Sequence, residues 1–216
     1  MLRSRLNVRI AVALLVMVAS LFLFFGYGHT QEQAQKGMLR ISPSELFTGE
    51  LKRLEPHLGL TGSGCVKVDY KGVALPIDLE WELWQNGTFK SLGHSSTSIT
   101  QPSEVSFSVK EVSRDKETSK YQLITAVSEQ SGYTSTTRSV ELPKLEGATT
   151  QKRLTNTIDI KDTKAIAVWA LLANQGSVDT RDDEPFEEAT KRVETALVFK
   201  FSPGNKVERN KNPTVY

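Results

Sequence analysis

A single cysteine, Cys65, among 216 residues excludes any disulfide within the chain. Whatever folds here must be held by an apolar core. Histidine is nearly as scarce: His29, His57 and His94 are the only three. No H-E-x-x-H or C-x-x-C spacing occurs, so the usual zinc and dithiol arrangements are excluded. No G-x-S-x-G elbow accompanies the serine-rich stretch around His94, which removes the hydrolase nucleophile motif. Charge of one sign is also missing. The 27 basic and 25 acidic residues give a formal charge of +2, but Arg3, Arg5 and Arg9 precede a long apolar run. Without those three, 24 basic residues face 25 acidic ones. That balance excludes the basic footprint of a nucleic-acid binder, despite a calculated pI of about 8.6. No internal repeat is visible, which argues against a solenoid or propeller.

What the chain does have is an uncharged apolar run, Ile10–Phe25, directly behind those arginines. Such a run is an export signal. From Ile10 to Tyr27 it makes a helix of about 27 Å, close to the ~30 Å hydrocarbon core of a bilayer. This length favours an uncleaved anchor through residues 10–27, with residues 1–9 a short basic cytoplasmic segment. Gly26-Tyr27-Gly28 offers small residues at a spacing of two, so secretion after cleavage near Gly28 is the alternative. No cysteine follows the run closely enough for a lipid anchor. Residues 28–40 read as a polar tether, 41–203 as the extracytoplasmic domain, and 204–216 as a polar tail. Lys206, Arg209 and Lys211 in that tail would give only a weak attraction to an anionic surface.

Period two dominates the exported part. Ile77, Leu79, Trp81 and Leu83 alternate with Asp78, Glu80 and Glu82, the pattern of a strand with one buried face. Asn86-Gly87 follows, a type I′ hairpin signal, because both turn positions need positive φ. Val66, Val68 and Tyr70 mark another strand, as do Val105, Phe107 and Val109. Tyr121, Leu123, Thr125 and Val127 should pair with Thr134–Leu142 across Ser131-Gly132. Leu154, Thr157, Ile158 and Ile160 predict a further strand. Ala165–Ala173 is apolar throughout, which fits a strand covered on both faces. Pro185 suits a first helical position, Asp183 or Glu184 a cap, and Phe186, Ala189 and Val193 form one stripe. Strand spacing returns at Thr195, Leu197, Phe199 and Phe201. The expected fold is all-β: an antiparallel sandwich, immunoglobulin-like or related, of about 8–10 strands. One short helix near 185–193 interrupts it, and an N-terminal transmembrane or signal helix precedes it. A tandem of two modules divided at 143–147 is the rival, with too few strands on each side for separate cores.

Candidate chemistry is sparse. Trp84 has the opposite strand parity to Trp81, on the face with Asp78, Glu80 and Glu82, where an open indole would stack on a sugar or anchor a protein. Cover by a helix, a loop or the second hairpin strand, through Leu92, is the structural alternative. Asp78, Glu80 and Glu82 also stand at i, i+2 spacing, about 7 Å apart, which overlaps an inverting glycosidase pair. Asp179, Asp182 and Asp183 form the densest acidic loop, chemically suited to a hard cation but lacking EF-hand alternation and containing Arg181. Cys65 reads as a small buried residue, and His94 as part of a solvated loop. Asn86-Gly87-Thr88 matches a glycosylation sequon, but Asn-Gly already has a turn role. The expectation is a non-enzymatic binding module without cofactor, held at the cell membrane, with the domain outside and an unidentified protein or glycan partner. An envelope hydrolase, or a structural or regulatory ectodomain acting through a membrane partner, is the alternative.

Overall fold

The computed structural model describes residues 38–204, except positions 73, 146, 161–163 and 182. The expected anchor, the tether up to residue 37 and the tail beyond Gly204 lie outside these residues. In chain order the elements are β1 (Leu39–Ser44), a 3₁₀ segment (Gly49–Leu58), β2 (Gly62–Tyr70), β3 (Leu75–Gln85), β4 (Thr88–Ile99) and β5 (Ser103–Arg114). There follow β6 (Thr118–Glu129), β7 (Gly132–Pro143), β8 (Ala148–Arg153), β9 (Ile158–Ile160), β10 (Ile166–Asn174), α1 (Phe186–Lys191) and β11 (Thr195–Pro203). They form two antiparallel sheets, ordered β7-β6-β5-β2-β1-β9 and β4-β3-β11-β10-β8. Strands from both sides of residues 143–147 enter both sheets, so the two halves of the sequence share one core.

Alternation does what it predicts. Val105, Phe107, Val109, Tyr121 and Leu123 of one sheet meet Ile77, Leu79, Trp81, Phe199 and Phe201 of the other. The rings interlock at the centre: Phe107 stacks on Phe199 at 4.5 Å, and Trp81 tilts against Phe199 at 4.9 Å. Trp81 Nε1 donates to Thr125 Oγ1 across the sheets at 3.0 Å, satisfying a donor that burial would otherwise orphan. Two glycines of β2 permit this packing. A Cβ at Gly64 would collide with the Phe107 ring, and one at Gly62 would lie 2.7 Å from Trp169.

The hairpin β3–β4 turns at Asn86 (φ 49°) and Gly87 (φ 77°), both positive as a type I′ turn requires. Several boundaries differ from expectation. Gly93–Ser98 is not a loop; it continues β4, paired residue by residue with β3. Its inward positions Gly93, Ser95 and Thr97 are half-buried but not apolar, so no hydrophobic alternation reveals the strand. Between the two long edge strands, Arg138 Nη1 of β7 donates to the Leu92 carbonyl of β4 at 3.2 Å, and its guanidinium lies over Gly93. A charged side chain there guards both edges. The predicted strand around Leu154–Ile160 shrinks to β9, three residues on β1, because the chain crosses between sheets at Leu154. Arg40 and Asp159 clamp that short pairing with bonds of 2.8 and 3.0 Å. Pro185 is the N-cap of α1 rather than its first residue, with no side-chain cap from Asp183 or Glu184. β1 begins at Leu39, two residues earlier than the domain boundary the sequence suggests.

Candidate functional site

The five-stranded sheet carries apolar side chains on both faces. Its outer face holds a second cluster: Trp84, Ala170, Leu172, Ala196 and Val198, covered by Ala189 and Val193 of the α1 region. The stripe Phe186, Ala189, Val193 is therefore real, and it faces this layer rather than the inner core. Lys152 fastens the connection from outside. Its Nζ donates to the Arg181 carbonyl at 2.6 Å and lies 5.6 Å from the Phe186 ring centre.

The contact surface predicted around Trp84 needs correction in this light. Parity does put Trp84 opposite Trp81, but its side is not open: Trp84 is only 9% exposed. Phe89 covers it from 5.3 Å. Leu92, named above as the cover, packs instead against the inner core, because a β-bulge shifts the register of β4 beyond Trp81. Glu82 is likewise no free surface carboxylate. It is buried, accepts from Trp84 Nε1 at 2.8 Å and pairs with Lys200 Nζ at 2.8 Å. Lys200 sits 5.7 and 5.8 Å from the ring centres of Trp84 and Phe89, so the ammonium is flanked by two aromatic rings. Asp78 accepts a short hydrogen bond from Ser96, while Glu80 stands half-buried opposite Lys200 and His94.

The result is a groove of about 280 Å³, walled by Trp84, Phe89 and Phe186, floored by Ala167 and Val198, with Lys200 at its base. Phe89 is 57% exposed, an aromatic ring offered to solvent beside a charge pair. Glu187 forms the rim, and Lys191, bonded at 2.8 Å, holds its carboxyl below the usual carboxylate range. Chemically the groove offers stacking surface, one ammonium and carboxylate acceptors. The three acids Asp78, Glu80 and Glu82 do not converge on it as an acid–base pair, because Glu82 is engaged with Lys200 and Trp84. Sequence reasoning names neither Phe89 nor Lys200, although signals for both are present. A two-residue turn at Asn86-Gly87 sets Trp84 against Phe89, and the β11 alternation puts Lys200 on the outer face.

The acidic loop, the expected cation site, is described only in part. Asp179 and Asp183 are exposed, Asp182 lies outside the described residues, and Glu184 pairs with Arg192. Arg192 also donates to the Asp179 carbonyl at 3.0 Å. Among the described residues no group of three or more His, Cys, Asp or Glu side chains is placed to hold a metal. Cys65 is buried, and burial, with Glu104 nearby, pushes its thiol up to about 11, away from nucleophilic chemistry at neutral pH. No protein-family model, curated protein or solved structure matches the chain. Among the described residues no helix is long and apolar enough to cross a membrane, and the run 10–27 is not among them.

Proposed function

We propose that this chain is an extracytoplasmic binding module, an immunoglobulin-like or related sandwich held at the cell membrane by residues 10–27. Its contact site is the groove on the outer face of the five-stranded sheet. The observation that carries this reading is Phe89: a large ring, exposed, fixed over Trp84 and Lys200 instead of folded into the core. Rings beside hydrogen-bonding groups suit a sugar, whose C–H face stacks while its hydroxyls bond to Lys200 and Glu187. A surface glycan is therefore the partner favoured over a protein. The buried pair Glu82–Lys200 and the bond to Trp84 Nε1 hold the site in one geometry before any ligand arrives.

Trp84→Ala is a poor probe, since a buried ring cannot be removed without weakening the fold. Phe89→Ala is the clean one. Full-length protein in detergent should be retained on immobilised cell-envelope glycan, and Phe89→Ala should lose at least ten-fold in affinity with an unchanged melting temperature. Equal retention of both proteins refutes the site. The hydrolase alternative predicts release of reducing ends from the same glycan, lost in Glu82→Gln; binding without release removes it.

A further inference from the structure

Large apolar side chains open to water are few among the described residues, and half of them crowd into one element. Leu51, Leu54 and Leu58, each 43–54% exposed, belong to the 3₁₀ segment Gly49–Leu58, while Phe89, Val112 and Tyr133 lie singly on three strands. Single exposed residues are ordinary, but a cluster on one element marks a contact surface. The element itself is unusual. Runs of 3₁₀ helix beyond about four residues are uncommon. This one has ten residues, includes Pro56 and buries none of its side chains.

Three residues per turn bring Leu51, Leu54 and His57 into one row, with Leu58 at its end. The adjacent row faces the domain: Lys52 Nζ pairs with Glu45 at 2.8 Å, and Glu55 accepts from Ser63 Oγ at 3.1 Å. Polar bonds rather than apolar burial hold the segment in place, and they leave the leucine row turned outward. On the third row Glu50 and Arg53 pair at 3.0 Å. Glu50 and Glu55 thus balance Lys52 and Arg53, and the segment carries apolar bulk without net charge.

Three half-exposed leucines fall well short of the ~800 Å² per partner that a stable protein interface buries. The occupant must therefore be a surface already held close, at high effective concentration. A bilayer around residues 10–27 is such a surface. Residues 28–38 separate that run from Leu39 and span at most about 40 Å at full extension. β1, which leads to the segment, adds or subtracts only about 20 Å, so the leucine row stays within reach of the headgroups. We propose that the 3₁₀ segment docks on the bilayer interface, with Leu51, Leu54 and Leu58 among the upper acyl chains and the ion pairs left at headgroup level. This docking rests on the tether through residues 10–27 and not on the outer groove.

The test uses full-length protein reconstituted into phosphatidylcholine vesicles that carry a nitroxide high on the acyl chain. A fluorophore is placed on His57→Cys, in the leucine row, or on Ser135→Cys, on the polar outer face of β7; Cys65 is buried and does not compete for the label. Quenching at 57 should exceed that at 135 by about two-fold or more. Leu51→Ser, Leu54→Ser and Leu58→Ser together should bring it down to the level at 135 with an unchanged melting temperature, since no core contact is lost. Equal quenching at both positions in the parent protein overturns the proposal, as does quenching at 57 that survives the triple substitution. Fluorescence at 57 that shifts blue with protein density but is not quenched by the lipid also overturns it, and assigns the leucines to a second copy. Alkaline carbonate extraction reads the tether separately. Release of the protein refutes the tether and the docking with it, whereas retention without quenching refutes the docking alone.

Discussion

The outer faces of the two sheets are opposites. On the six-stranded sheet, the outward residues of β7 include Tyr133, Ser135, Thr137 and Ser139, all exposed to water, Tyr133 at 77%. On the five-stranded sheet the outward residues of β10 and β11 are Ala170, Leu172, Ala196 and Val198, all buried beneath α1. The first face needs no cover. The second must have one, because strands apolar on both sides expose too much surface in water. The lone helix is the lid for that surplus, and where the lid stops, beside Phe89 and Lys200, the candidate groove begins.

The contrast can be broken by substitution. Trp169→Ala removes a ring that is fully buried in the inner core, and should cost about 3–5 kcal/mol in urea unfolding. Ala189→Glu puts a charge beneath α1. It should lift the helix and cost about 1–3 kcal/mol, with Trp84 emission shifting red while the inner sheets stay protected from amide exchange. A loss equal to that of Trp169→Ala, with exchange throughout, would make the outer layer as integral as the core. Tyr133→Ala, on the polar face, should stay within about 0.5 kcal/mol of the parent protein.

The same contrast explains what the sequence could and could not reveal. Strands with one wetter face, such as β5 and β6, announce themselves by alternation, and β3 does so through its residue types although Glu82 and Trp84 on its outer side are buried. β10 announces itself by the lack of it, Ala165–Ala173 being apolar on both sides. β4 from Gly93 to Ser98 is silent, since an edge strand takes its pairing from β3 and its polar side chains say nothing about that pairing. The 3₁₀ segment Gly49–Leu58 is silent for a related reason: it buries none of its residues, and Leu51, Leu54 and Leu58 remain exposed. At the site, parity correctly put Trp84 outside the core, but its cover depended on two facts read separately: the hairpin register that brings Phe89, and the α1 stripe that brings Ala189. The buried role of Glu82 was concealed because a carboxylate between Trp81 and Leu83 looks like any solvated strand residue. Its partners, Lys200 from 118 positions away and the Trp84 indole N–H, come together only in the fold.

The most direct check compares the exposed aromatics among the described residues, Phe89 and Tyr133, one on each outer face. Phe89→Ala and Tyr133→Ala would each be measured for co-sedimentation with isolated envelope glycan, beside wild-type full-length protein of verified melting temperature. The groove assignment predicts that Phe89→Ala stays in the supernatant while Tyr133→Ala pellets like the wild type. Pelleting of both, or loss of both, would contradict it.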